Sequence, residues 1–512
     1  MLPKVARAHV CPPSPRCGED LGKVPGTNPS SRYSGQPGNA RTYEATTVRA
    51  FLVLCRLSIS RGTEEAHHHC LKCGRVIPSN RWQTKPNDAL AGHRSHSRLE
   101  RMLSILRLHR LIRMHISSVL CPPDSAGVGF IGNISMTTAR ILDFIKTRRP
   151  EGPCLVVDLD VVRDNFNAFR HSLPNSAIYY AVKANPAPEI LKLLASLGSN
   201  FDCASVAEIQ MALDAGATSD RISFGNTIKK ERDVARAHAL GIDLFAVDSH
   251  EEVEKVARAA PGARVFCRVL TDGEGAEWPL SRKFGCVPQM AVDVLVYAHQ
   301  MGLESYGVSF HVGSQMMNLD AWDAALADAK RVFASLAKQG IHLQMVNMGG
   351  GFPTKYLRDV PAAEEYGQAI DTALRKHFGN QIPKTIIEPG RGMVGNAGVI
   401  KAEVVLVSKK SDNDNHRWVF LDIGKFGGLA ETMDEAIRYP IRTERDQDEM
   451  QPCVLAGPTC DSADVLYEKN MYPLPVSLTI GDEVLIEGTG AYTTTYSAVA
   501  FNGFEPLKAY VI

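Results

Sequence analysis

From Ala177 onward the hydrophobic and polar positions alternate between two rhythms. Short apolar runs rich in β-branched and aromatic residues are separated by longer stretches whose apolar residues return every three or four positions. In order, the short runs are "AIYYAVK", "NFDCAS", "RISFGN", "DLFAVDS", "RVFCRV", "YGVSFHVG", "LQMVNMGGG" and "KTIIEPGR", which predict eight strands. Between them, residues 188–197 put Ile190, Leu191, Leu194 and Leu197 on one helical face, and residues 321–336 do the same with Ala325, Leu326, Ala329, Val332 and Phe333. Two helices open on a serine followed three positions later by glutamate, Ser205 with Glu208 and Ser249 with Glu252, the pattern of a capping box. Eight strand–helix units over roughly 220 residues predict an α/β fold, a (β/α)8 barrel over residues 159–397 with its site at the carboxyl ends of the strands. A doubly wound open sheet would carry the same alternation.

Past residue 397 the rhythm changes. "VIKAEVVLVSKK", "RWVFLDIG", "PCVLAGPTC", "DEVLIEGTGAYT" and "PLKAYVI" are strand-like and lack long helices between most of them, so residues 398–512 are expected to form an all-β domain. The run "CLVVDLD", in the segment 136–158, is expected to lend that domain a strand from before the barrel.

Charge divides the chain elsewhere. The first 135 residues hold 19 Lys and Arg against 8 Asp and Glu, a balance of +11, and the remaining residues hold 38 against 48, a balance of −10. The leading segment is rich in Pro, Gly, Ser, Arg and His, lacks sustained periodicity and carries six of the twelve cysteines, a composition that does not promise a core. Its "HHHCLKC" has the spacing of half a zinc site, but no second half follows, so no metal is expected. A transit peptide fits poorly with eight acidic residues. The preferred expectation is that residues 1–135 are a disordered or spurious extension and that Met136 is the natural start. No stretch reaches the about 18 apolar residues of a membrane span. The six later cysteines lack a disulfide spacing and suit a reducing compartment. A cytoplasmic protein is expected, with neither membrane nor nucleic acid as partner.

The strand ends supply the chemistry. Lys183 closes a run that reads as buried, where an ammonium is expensive to desolvate. A strand-end lysine commonly snorkels to water, but Lys183, Asp202, Arg268, His311 and Glu388 all close strands and would converge on one barrel mouth. Burial there is expected to lower the lysine pKa and release a nucleophilic amine suited to an aldehyde. Gly349, Gly350 and Gly351 offer bare backbone N–H groups to an anion, and Arg391 in "EPGRG" is a planar phosphate donor. Aldehyde and phosphate in one ligand point to pyridoxal 5′-phosphate. Glu388 either pairs with Arg391 or protonates a pyridine nitrogen and makes the ring an electron sink. His311 either stacks on that ring or is a hydrogen-bonded core histidine. Asp202 and Arg268 either orient the lysine and cofactor or pair with each other.

"YYAVKANP", "FDCAS", "VSFHVGS", "MGGGFP", "EPGR", "GPTCDSAD" and "GAYT", in this order, resemble the fold-type III, alanine-racemase-like pyridoxal-phosphate enzymes, and among them the ornithine decarboxylases. The resemblance covers residues from about 154 to 512. It implies that Lys183 carries the cofactor covalently, that Glu388 meets the pyridine nitrogen and that His311 stacks on the ring, with Lys183, Cys460, His311 and Glu388 as catalytic residues. Ser314, Gly349, Gly350, Gly351, Arg391 and Tyr492 would hold the phosphate, with Asp202 and Arg268 nearby. Cys460 and Asp461 would serve the partner's active site in a head-to-tail homodimer, Cys460 returning a proton at Cα and Asp461 binding the distal ammonium of the substrate. The implied reaction is decarboxylation of a basic L-amino acid, ornithine to putrescine.

One segment departs from the family pattern. "GKFGGLAETMDEAI", residues 424–437, stands where the eukaryotic form resembles "GVYGSFNCILYDHA" and where substrate length is set; Asp434 and Glu435 are the candidates for a second acidic contact. Lysine/ornithine dual specificity is the alternative within that reading. Cys460-Asp461 argues against a diaminopimelate-type enzyme, which resembles "CES" there, and Glu388 argues against a racemase. A non-catalytic regulatory paralogue would have lost cofactor residues that this sequence retains.

Overall fold

The computed structural model describes residues 135–273, 275–278 and 283–512. The expectations for residues 1–134, the cysteine-histidine run included, lie outside the described residues.

Eight parallel strands close on themselves: β1 Ser176–Ala181, β2 Asn200–Cys203, β3 Ile222–Phe224, β4 Leu244–Val247, β5 Arg264–Arg268, β6 Glu304–Ser309, β7 Met345–Asn347 and β8 Lys384–Ile387. Closure is the pairing of β8 with β1, Thr385 opposite Ser176 and Ile387 opposite Ile178, which rules out the open sheet. Alternation along each strand sorts the side chains. Tyr179, Leu244, Ala246, Phe266, Tyr306, Met345 and Ile386 fill the barrel interior as one cluster, while Ile178, Tyr180, Phe201 and Val265 face the surrounding helices. Burying both faces explains why these runs are near-continuously apolar.

The helices follow their apolar stripes. Pro188–Ser196 buries Ile190, Leu191 and Leu194, and Ala321–Ala337 buries Trp322, Leu326, Ala329 and Val332. Ser205 caps its helix by accepting from the Glu208 N–H, and the Glu208 carboxylate takes the Ala204 N–H. Ser249 caps in the same way, but the carboxylate of Glu252 is buried and bonded to Lys229 and Lys255 instead of turning back on the cap. Burial pushes the Lys229 pKa down to about 8 despite that pairing.

After the barrel an eight-stranded sheet forms, whose main path runs Ile441–Thr443, Glu483–Glu487, Gly398–Ser408, Arg417–Leu421, Met450–Ala456 and Val465–Pro475. Cys154–Val157, from before the barrel, pairs antiparallel with Gly398–Ser408 and parallel with Lys508–Val511, so the expected extra strand is present. Val465–Pro475 had no counterpart among the predicted strands. Its Glu468-Lys469-Asn470 centre and two prolines hide it, and it tolerates the prolines because it is an edge, paired only to Met450–Ala456. Among the described residues no helix is long and apolar enough to cross a membrane.

Candidate active site

The chain leaves β1 through a 3-10 turn, Val182–Ala184, whose Val182 and Ala184 are buried. Lys183 therefore lies two residues beyond the strand end, not on it, and its side chain is swung into a cavity of about 310 Å³ at the carboxyl ends of the strands. Half of that side chain, 53%, stays open to the cavity, and Nζ lies 3.6 Å from Oδ2 of Asp202, which is buried in β2. Gly225 must be glycine here, because a Cβ would fall 1.8 Å from Asp202 Oδ1.

The expected fall of the Lys183 pKa is corrected by its surroundings. Burial does disfavour the ammonium, but the summed attraction of Asp202, Tyr492 and Glu388 outweighs it and holds the pKa above the ordinary lysine range. The amine is thus stored as an ammonium beside a carboxylate.

Arg268 closes β5 with its guanidinium 5.3 Å from the Phe284 ring centroid. His311, two residues beyond β6, accepts at Nδ1 from the Gly350 N–H at 3.2 Å. Burial first, then the charges of Arg268 and Lys183, push its pKa down to about 3, so the ring is neutral with its proton on Nε2. Glu388 follows β8 and accepts from the amide of Asn347, a side chain that was not among the expected site residues. Burial, with Asp202 adding to it, raises the Glu388 pKa to about 7 against the opposing pull of Lys183, Asn347 and Arg268.

The triple glycine is a close crossing of chains. A Cβ on Gly349 would stand 2.2 Å from the Phe310 carbonyl, on Gly350 2.6 Å from the Glu388 carbonyl and on Gly351 2.6 Å from the Gly313 carbonyl; Gly349 and Gly351 also have positive φ, 65° and 108°. Gly349 and Gly350 spend their N–H groups on Asn347 and His311. Among the described residues nothing accepts from the Gly351 N–H, which leaves it to an anion beside the Ser314 hydroxyl. A lysine amine, a neutral imidazole, a carboxyl of raised pKa and an anion cradle in one cavity fit pyridoxal phosphate.

Arg391, expected as a phosphate donor or as the partner of Glu388, is engaged by other groups of the protein. It is buried, and all five of its N–H groups are engaged: Nε and Nη2 with Ser314 Oγ at 3.4 and 3.2 Å, Nη1 with Tyr356 Oη at 2.7 Å, and Nη1 and Nη2 with the two oxygens of Glu431 at 2.7 and 2.6 Å. Its guanidinium also lies 5.0 Å from the Tyr492 ring centroid. Tyr492, at φ 57°, donates its backbone N–H to Ala184 and so fastens the β domain onto the Lys183 turn.

Glu431 is the acidic residue that sequence reasoning missed. It lines the Lys183 cavity, whereas Asp434 and Glu435, the expected contacts, do not. Asp434 is exposed and pairs with Lys469; Glu435 accepts from the N–H groups of Glu468, Lys469 and Asn470 and from Arg438. The turn Ala430–Glu435 breaks at Met433 and Asp434, which sends its two ends in different directions. Cys460 and Asp461 are exposed and stand outside this cavity, so the described chain alone does not assemble them with Lys183.

Comparison with known proteins agrees with the geometry. Residues 159–395 match the family profile described as pyridoxal-dependent decarboxylase, pyridoxal binding domain. A lysine/ornithine decarboxylase of Selenomonas ruminantium is 36% identical over 362 residues, 70% of this chain and 88% of that protein. Antizyme inhibitor 2 of Xenopus laevis is 33% identical over 365 residues, 68% of this chain and 78% of that protein. The crystal structure of an arginine decarboxylase from Paramecium bursaria Chlorella virus bound to agmatine superposes with a TM-score of 0.66 at 28% identity, over 73% of this chain and 99% of that one. One of these relatives is named for inhibition and not for catalysis, so the retained Lys183, His311 and Glu388 weigh alongside the overall likeness. The chain belongs to the fold-type III, pyridoxal-phosphate-dependent decarboxylases of basic amino acids.

Proposed function

We propose that the protein decarboxylates L-ornithine to putrescine and carbon dioxide, as a homodimer with active sites shared between subunits. The observation that carries this reading is the Lys183 amine, held by Asp202 in one cavity with neutral His311, Glu388 and the anion cradle of Gly351 and Ser314. Pyridoxal phosphate, when bound, supplies a ring that takes up the electron pair left on Cα as carbon dioxide departs. Lys183 would hold the cofactor through Nζ, the amine that Asp202 keeps in place. Glu388, whose burial raises its affinity for a proton, would face the ring nitrogen and share a proton with it. His311 would pack on the ring without adding charge, and Gly351 and Ser314 would donate to the phosphate. Cys460 and Asp461, exposed in each chain, serve the other subunit: Cys460 returns a proton at Cα and Asp461 binds the distal ammonium.

The 36% identity to a lysine/ornithine decarboxylase favours a second reading, in which lysine is also accepted. Chromatography of the products after ornithine, lysine and arginine are supplied separately tests both. Putrescine as the dominant product supports ornithine, comparable cadaverine supports the dual reading, and dominant agmatine overturns both. The purified protein is expected to absorb near about 420 nm, and Lys183→Ala to lose both the absorbance and the activity; a colourless wild-type protein that takes up no added cofactor would sink the enzyme reading.

A further inference from the structure

Arg391 is the most completely satisfied cation of the cavity, and its counter-ion comes from the other domain. Glu431 reaches in from the turn Ala430–Glu435 and meets the guanidinium with both oxygens, each partner only 3–4% exposed. It is the only residue of that turn in the cavity lining, beside Ser314, Gly350 and Gly351. The other groups on Arg391, Ser314, Tyr356 and the Tyr492 ring, are uncharged. A phosphate held by the Ser314 hydroxyl and the Gly351 N–H would lie against the same guanidinium, since Ser314 Oγ is 3.2 Å from Arg391 Nη2, so two anions would share one cation that has no spare donor.

We infer that Glu431 competes with the phosphate for Arg391, so that anion binding at Ser314 and seating of the Ala430–Glu435 turn oppose each other. This rests on the reading that the cavity takes pyridoxal phosphate. Coupling of two sites through one guanidinium is reciprocal: an anion at Ser314 loosens the turn as much as the seated turn weakens the anion. The far end of the turn is tied down independently, Glu435 to three backbone N–H groups, so loosening is confined to Glu431 and its neighbours. Glu431 is on this account a positioning residue: it keeps a buried guanidinium compensated and in place, and it lowers the affinity of the site for phosphate.

The test is titration of cofactor-free protein with pyridoxal phosphate and, separately, with inorganic phosphate, followed by absorbance and by thermal shift. Glu431→Gln is expected to lower the dissociation constants of both anions by about tenfold, the scale of one like-charge interaction at a buried site. Tyr356→Phe, which removes one Arg391 bond without changing charge, is expected to leave them unchanged or raise them. Hydrogen exchange on the wild-type protein decides the matter if the glutamine variant does not fold: adding inorganic phosphate should reduce protection around residues 429–433. Unchanged or weaker anion binding by a folded Glu431→Gln, equal tightening by Tyr356→Phe, or increased protection with phosphate would overturn the inference. Wild-type protein that binds inorganic phosphate but takes up no pyridoxal phosphate would overturn the cofactor reading and leave the competition standing.

Discussion

The Lys183 amine must lose a proton before it can attack an aldehyde, and Asp202 opposes that loss from 3.6 Å. Removing the carboxylate leaves burial as the leading influence, and burial favours the neutral amine. Asp202→Asn is therefore expected to move the pH at which borohydride-trappable cofactor attachment becomes half-maximal down by at least about one unit. An upward or absent shift would mean that Asp202 does not control the amine. Glu388 works in the opposite sense to an ordinary ion-paired carboxylate. Its pKa of about 7 lies above the unfolded value, so the folded chain holds this proton more tightly than the unfolded chain does. The resulting stabilisation is complete below pH of about 4.5 and is lost as pH rises through 7. In cofactor-free protein, Glu388→Gln should raise Tm by about 2 °C or more at pH 8 and have a smaller effect at pH 5, which a melting series across pH would register directly.

Elements carry the close approaches on which those residues depend. The loops after β7 and β8 cross at Gly350, where a methyl group would meet the Glu388 carbonyl at 2.6 Å and the His311 ring at 3.4 Å. Gly350→Ala should cost about 1–3 kcal/mol of stability as an overpacking change and should weaken cofactor retention by disturbing His311 and Glu388 together; denaturant melts and cofactor titration measure the two effects. The strands that build this crossing were legible because burial on both faces imposes unbroken apolar runs, and their number pointed to a barrel. Their ends were less legible. "AIYYAVK" reads as one strand, yet pairing stops at Ala181 and the 3-10 turn Val182–Ala184 delivers Lys183, a difference set by the backbone bond from Tyr492 to Ala184 some three hundred positions away. The site residues gathered by strand ends converged as expected. Glu431 did not announce itself, since the turn holding it has left-handed residues at Asp434 and Glu435, φ 53° and 61°, and no periodicity survives such a break. Arg391 was singled out as a donor to phosphate or a partner of Glu388, and Glu431 was not foreseen beside it, because that counter-ion lies forty positions on in another domain.

At the scale of the whole molecule, one chain gathers Lys183, His311, Glu388, Ser314 and Gly351 in a single cavity and holds Cys460 and Asp461 on its surface. Cys460 is fixed there through its backbone N–H to the Asn502 side chain, and Asp461 accepts from the Ala463 N–H, so the loop is ordered although both side chains are exposed. A built loop that presents an acid and a thiol to solvent makes chemical sense in a C2 dimer, where each subunit offers the same patch to the other. The sharing can be tested without knowing the substrate-length preference. Lys183→Ala and Cys460→Ala, each inactive or strongly impaired alone, have their lesions on different subunits of any one site. Mixed under conditions that exchange subunits, half of the dimers are hybrids, and each hybrid holds one site with both residues intact. Activity should therefore rise to about a quarter of the wild-type value. If the site is confined to one chain, every site in the mixture carries one lesion or the other and mixing recovers nothing, which would return Cys460 and Asp461 to the surface as bystanders.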